Sequence, residues 1–263
     1  MHVWFALMVA SPIFTWQHHL LDVATGAMLG QLCVFAFPES RERAVTRSAA
    51  GNFRVARFYA AGSAVFAGMA IALGSSLGFW YWLLLWPAVS LGLIATAYLR
   101  GNSNIFRKKG GRLPIRTRVA LGPYLFGVKL SRLIYRRRGK PWGESAPRVF
   151  CGRLLTRREA LAMRAMGITG VLDMTAEYSE TRAFKKEIEY LNVPVLDLTT
   201  PSREQLDAAV AFITKHAIRG GAYVHCALGV SRSVAAVAAY KASQQTELPF
   251  SAGRKTSIRS TYV

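Results

Sequence analysis

The apolar run over residues 77–99 constrains this chain more than any other feature. Crossing the hydrocarbon of a bilayer as a helix takes about 20 apolar residues, with roughly 17 as the lower limit. This run meets that length, and Trp80, Tyr81, Trp82 and Trp86 stand near its start. Three more apolar stretches precede it, at 3–15, 23–37 and 58–73. The third is rich in Ala and Gly. The first two are short and read as truncated or tilted spans. A signal peptide is the alternative for the first, but it lacks a charged start and no clear stop in the hydrophobic pattern follows. Residues 1–99 are therefore expected to form an α-helical membrane region.

The charge distribution supports this reading. Hydrophobic residues make up 52% of the 263 residues and charged residues only 18%, yet the formal net charge is +20. An apolar chain with a large basic excess fits a membrane protein with Lys/Arg-rich cytosolic loops. Nucleic-acid binding is the rival; it ranks lower because the basic residues flank apolar runs and match no DNA- or RNA-binding motif. Arg41, Arg43, Arg47, Arg54 and Arg57 precede the third stretch, and Arg100, Arg107, Lys108, Lys109, Arg112, Arg116 and Arg118 follow the fourth. A tight turn near Gly74-Ser75-Ser76 would join those two spans. Both basic segments then share one side, which the positive-inside rule makes cytosolic. Residues 17–21 fall outside, and the second half falls inside.

Residues 100–147 read as a basic juxtamembrane linker. Within it, residues 119–138 alternate apolar residues with Lys129, Arg132, Arg136, Arg137 and Arg138. This pattern predicts an amphipathic helix at the membrane surface, each basic residue contributing about 1 kcal/mol toward anionic lipid. An ordinary solvated helix face is the alternative.

From residue 148 the pattern changes. Strands are expected at 148–150, 170–173, 193–196 and 222–225, and helices at 157–166, 203–217 and 233–242. Leu206, Val210 and Ile213 keep helical spacing. Ser202 and Gln205 fit a capping box. Strands alternating with helices predict an α/β domain with a mainly parallel sheet over residues 148–247. Residues 248–263 are polar and basic and read as a disordered tail. Cys33, Cys151 and Cys226 are widely spaced, with no disulfide framework or zinc spacing. A reactive thiol calls for a reducing compartment.

The chemistry concentrates in His225-Cys226-Ala227-Leu228-Gly229-Val230-Ser231-Arg232-Ser233. A strand ends at Cys226, a loop turns at Gly229, and a helix opens at Arg232. Such a loop points backbone N–H groups inward as an anion cradle, and the helix N-terminus adds its positive end. Both favour a phosphate and a thiolate, and a cysteine so placed has a lowered pKa. Arg232 offers a planar fork for two phosphate oxygens, tightening as charge redistributes in the transition state.

The run Cys226 to Arg232 resembles the C-x5-R signature of the protein tyrosine phosphatases. The Val-His before it and the Ser after it resemble the dual-specificity branch. The resemblance implies that Cys226 attacks phosphorus, that Arg232 binds phosphate, that Ser233 eases departure of the sulfur and that His225 supports the loop. Ala227, Leu228, Gly229, Val230 and Ser231 would cradle the phosphate. It also implies a general acid from an upstream loop. Asp197 fits, after a strand and before Thr199-Thr200-Pro201, with Asp207 as runner-up; Asp173 reads as structural. Glu177 and Tyr178 are candidates for the pocket rim.

A second resemblance lies near the start. Ser11, His18 and Asp22, with Val23 and Gly26, sit as in the last motif of the type 2 phosphatidic acid phosphatases. There the His is the nucleophile and the Asp orients it. Pro12 stands where that motif has Arg, and the two earlier motifs are missing before Met1, so this part reads as a truncated and catalytically dead remnant. The alternative for His18 and His19 is an interfacial pair. The combination resembles bacterial fusion proteins.

Three readings follow. The first is a membrane-anchored phosphatase acting on phosphoprotein through a phosphocysteine. The second acts on a lipid headgroup such as a phosphoinositide, although the loop carries no Lys for a polyphosphorylated headgroup. The third is an inactive phosphate-binding membrane protein. The expected setting is multi-pass in a bacterial inner membrane with the phosphatase domain cytosolic. Phosphoprotein or phospholipid substrate and the membrane are the expected partners. No cofactor, metal or nucleic acid is expected.

Overall fold

The structure is a computed structural model that describes residues 51–136, 140–184 and 188–247. The first two apolar stretches, the remnant residues His18 and Asp22, and the tail from 248 lie outside the described residues.

The described chain opens with an antiparallel helix pair, α1 (Phe53–Leu77) and α2 (Trp82–Arg100). Asn52 caps α1, its side-chain oxygen accepting from Val55 N at 3.1 Å. The expected turn at 74–76 is still helical. The reversal falls at a 3-10 turn, Gly78–Tyr81, entered through Gly78 at φ +51°. Small residues line the contact between the helices: Ser63 Oγ donates to the Ala88 carbonyl at 2.6 Å, and a Cβ on Gly62 would meet Leu91 at 3.1 Å. Small side chains let apolar helices approach closely. Both helices are long and apolar enough to cross a membrane.

The expected linker is instead folded and packed. A 3-10 turn (Ser103–Phe106) leads to α3 (Ile115–Ala120) and α4 (Gly122–Tyr135). The one amphipathic helix expected over 119–138 is thus broken at Leu121. Pro123 has no N–H to offer the Val119 carbonyl, which accepts from Trp86 Nε1 at 2.9 Å instead. Ser103 Oγ donates to the Pro194 carbonyl at 2.8 Å. Lys108, one of the basic residues that follow the fourth apolar run, is buried against Asp173. Apolar residues of both halves share one cluster, in which Ala56, Ile94, Tyr98, Phe106, Leu121 and Tyr124 pack with Ala176 and Leu196.

The α/β unit begins earlier than residue 148. Strand β1 (Trp142–Ala146) pairs antiparallel with β2 (Val149–Arg153). The remaining strands are β3 (Gly170–Thr175), β4 (Glu189–Val195) and β5 (Ala222–Cys226), with sheet order β1-β2-β5-β3-β4. All pairings except β1–β2 are parallel. Alternate residues feed opposite faces. Leu172 and Val224 join Phe212, Ile213 and Val237 on one side, whereas Val171 and Tyr223 join Leu155, Met163 and Phe184 on the other. The helices are α5 (Arg157–Ala165), α6 (Arg203–Arg219) and α7 (Arg232–Glu247). Ser202 and Gln205 form the expected capping box, and Thr156 with Glu159 forms a second. The last helix runs five residues beyond its expected end at 242.

Candidate active site

Central strand β5 ends in Cys226, and α7 starts at Arg232. The five residues between them turn back over the strand end. Gly229 sits at φ +76°, and a Cβ there would lie 2.7 Å from the Gly152 carbonyl carbon. Only glycine meets both the left-handed backbone and the close approach. The turn brings Gly229 N to 3.2 Å and Ser233 Oγ to 3.4 Å from Cys226 Sγ, both as donors. Ala227 is buried against Leu154 and Tyr178, with Val128 of α4 packed on them. Leu228 and Val230 face outward.

The electrostatics of the loop favour a thiolate. Burial raises the Cys226 thiol, but the Arg232 guanidinium, the Ser233 hydroxyl and the Ser233 and Gly229 amides outweigh it and bring the thiol below its ordinary value. Beneath the loop, His225 Nε2 lies 2.6 Å from Glu180 Oε2, and both side chains are buried. Burial pulls the imidazole down, but the carboxylates of Glu180 and Asp173 outweigh it and hold His225 above its ordinary value. The imidazole also stacks on Tyr223, ring centroids 5.4 Å apart.

Arg232 is fully buried, and its fork is already engaged. Nη1 donates to Glu177 Oε2 at 3.0 Å and to the Val195 carbonyl at 2.9 Å, and Nη2 donates to Glu177 Oε1 at 2.9 Å. Asp197 Oδ1 lies 3.1 Å from Nη2. Three of the five N–H donors of a guanidinium are thereby hydrogen-bonded, and Asp197 adds an ion pair at Nη2. The donor on Nε is buried without a hydrogen-bond partner among the described residues. The fork expected to take two phosphate oxygens is held here as a bidentate partner of Glu177.

Asp197 follows β4 and is half exposed beside Arg232. Asp207 lies on the exposed face of α6, 3.9 Å from Arg203. Glu177, expected at the rim, is buried and grips Arg232; Tyr178 donates its hydroxyl to the Val128 carbonyl at 2.6 Å. Glu180 was not anticipated. Its signal was present in the composition, because three of the fourteen acidic residues of a very basic chain fall within residues 173–180.

Asp173, Glu180 and His225 lie close enough to share a metal ion. The donor set does not fit one well, because the Lys108 ammonium pairs with Asp173 and also donates to the Thr175 carbonyl at 3.0 Å and Oγ1 at 3.1 Å. Asp173 takes further bonds from Thr175 N (2.8 Å), Thr175 Oγ1 (2.7 Å) and the Tyr190 hydroxyl (2.7 Å). Burial pushes the Asp173 carboxyl up, but Lys108, His225 and Thr175 together bring it to about 2. Two carboxylates thus already face Lys108 and the His225 imidazole.

The α/β part of the chain is similar in sequence to known proteins. Residues 155–246 match the dual specificity phosphatase catalytic domain family. Dual specificity protein phosphatase 26 of Bos taurus is 33% identical over 154 residues, covering 51% of this chain and 71% of that protein. Its Homo sapiens counterpart is 32% identical over 157 residues with the same coverage. Among solved structures, PTPMT1 in complex with PI(5)P is 25% identical with a TM-score of 0.37, covering 41% of this chain and 75% of that one. With a catalytic unit related in this way, the chain belongs to the dual specificity phosphatase family of enzymes.

Proposed function

We propose that the chain is a membrane-anchored cysteine-dependent phosphatase that hydrolyses phosphomonoesters of phosphoprotein through a phosphocysteine. The approach of Gly229 N and Ser233 Oγ to Cys226 Sγ, with Arg232 at the same helix end, carries this reading. Cys226 attacks phosphorus as the P–O bond to the leaving group breaks, and Asp197 gives that oxygen its proton. Water then attacks the phosphocysteine, and Asp197 takes a proton from it. The Ser233 hydroxyl stabilises the departing thiolate. Arg232 holds the phosphoryl oxygens through Nε and through the Nη2 edge that otherwise faces Asp197. Ala227, Leu228, Gly229, Val230 and Ser231 supply inward-facing amides. His225, paired with Glu180, supports the loop from below.

A phospholipid headgroup is the second reading, and one observation favours it. The outer face of α4 exposes Phe126, Leu130, Leu133 and Ile134 at helical spacing, and the same helix packs Val128 beside the Cys226 loop. A helix of this kind lies in a membrane interface, which would bring the loop close to lipid.

The test uses the full chain, because a fragment starting at residue 148 loses strand β1 and the buried Lys108. The full chain in detergent should hydrolyse an aryl phosphate, and Cys226→Ser should abolish this. Turnover by Cys226→Ser equal to that of the parent chain would refute the mechanism. Faster hydrolysis of phosphoinositide vesicles than of a phosphotyrosine peptide would select the second reading.

A further inference from the structure

We infer that Asn52, at the start of the first apolar helix, is a positioning residue for the general acid. The inference rests on the reading of Asp197 as that acid. Asn52 Nδ2 donates to the Leu198 carbonyl at 2.7 Å, across 146 residues of sequence. Leu198 is the residue after Asp197, and it sits at φ +57°, a backbone state that leucine rarely adopts. The bond therefore fastens the carbonyl of a strained residue beside the acid. On the other side of Asp197, Leu196 is buried with Ala56, Tyr98 and Tyr124. Its carbonyl accepts from Thr199 Oγ1 at 2.9 Å and Thr199 N at 3.3 Å. Both neighbours of Asp197 are thus held by the helical half of the chain, while its own carboxyl reaches Arg232.

Asn52 is itself fixed. Its backbone N–H donates to the Tyr98 carbonyl at 3.0 Å, and its side-chain oxygen accepts from Val55 N. With the oxygen committed to the cap, the amide nitrogen is the group that faces Leu198. A Cβ on Gly51 would lie 2.4 Å from the Leu99 carbonyl oxygen, so the entry to α1 sits tight against the end of α2. Without the Nδ2 bond, Leu198 is free to relax toward a negative φ, which turns the Asp197 carboxyl away from the leaving oxygen. General acids contribute about 10²–10⁴-fold, and small misplacements of catalytic groups forfeit much of such a factor.

The test uses Asn52→Ser and Asn52→Asp in the full chain. Both side chains cap a helix well, but serine is too short to reach Leu198 and aspartate has no donor. Turnover is compared on phenyl phosphate, whose leaving group needs a proton, and on dinitrophenyl phosphate, whose leaving group does not. Asp197→Asn serves as the reference. Both Asn52 variants should lose about tenfold or more in kcat/KM, which reports only the steps up to departure of the leaving group, on phenyl phosphate and less than about threefold on the dinitrophenyl ester. An equal loss on both esters, or no loss while Asp197→Asn keeps the leaving-group pattern, would overturn the role of Asn52. If Asp197→Asn shows no leaving-group dependence, Asp197 is not the acid, and the inference falls with that reading.

Discussion

Replacing Lys108 with methionine removes a cation from beneath the catalytic loop while keeping the length and apolar bulk of the side chain. Lys108 and Asp173 are both buried, with side-chain exposures of 2% and 0%. Breaking such a pair leaves an uncompensated charge and costs about 3–5 kcal/mol. The contacts place this variant at the lower end. Asp173 keeps three donors, from Thr175 N, Thr175 Oγ1 and the Tyr190 hydroxyl, and the Thr175 carbonyl keeps Asn192 Nδ2 at 3.0 Å. No acceptor is orphaned, so the cost is that of charge alone, about 3 kcal/mol. At about 2–4 °C per kcal/mol for a chain of this size, the unfolding midpoint should fall by about 6–12 °C. Thermal unfolding of the full chain in detergent measures it. Adding Asp173→Asn removes the stranded charge and should recover more than half of the loss. A shift below about 2 °C for Lys108→Met, or a double variant no more stable than the single, would refute the reasoning.

Two further outcomes follow from the same contacts. Glu177→Gln removes the charge partner of Arg232 but keeps an oxygen and a nitrogen in place; kcat/KM on an aryl phosphate should fall about 10²-fold, as steady-state kinetics would show. Stability should also depend on pH in two windows. Asp173 is depressed from 3.8 to about 2, so its contribution is present above 3.8 and is lost as pH falls through the folded value. His225 is raised above 6.5, so its contribution is complete below 6.5 and is lost as pH rises through the folded value. Melting temperatures across the pH range would show both edges, and Glu180→Gln should weaken the second.

Local signals carried the catalytic unit well. The strand–loop–helix around Cys226 could be read because the C-x5-R run directly follows the short strand-forming run Ala222-Tyr223-Val224-His225 and contains Gly229 for the left-handed turn. The capping box of Ser202 and Gln205 set the start of α6 for the same kind of reason. Strand β1 was not legible: Trp142-Gly143-Glu144-Ser145-Ala146 is polar in its middle and holds its place as an edge through β2. Lys108 stood among Arg107 and Lys109 with nothing to mark it as the buried member. Nor could spacing tell that Glu177 would meet Arg232, since that pair forms across 55 residues of tertiary structure. Non-local pairing was the missing information in each case, and periodicity does not contain it.

The turn at residues 109–112 has a consequence for how this enzyme reaches its target. The Gly111 carbonyl accepts from Glu180 N at 2.7 Å, and Ser179 Oγ accepts from Leu113 N at 3.0 Å. Together with Lys108, these contacts mount the catalytic unit on the helix pair instead of leashing it. A leash of free chain lets a catalytic head sample a sphere, with an effective concentration that falls slowly with leash length. A mount allows one height and one facing. In the membrane setting proposed above, substrate groups that pass at that height would be favoured over those held farther away.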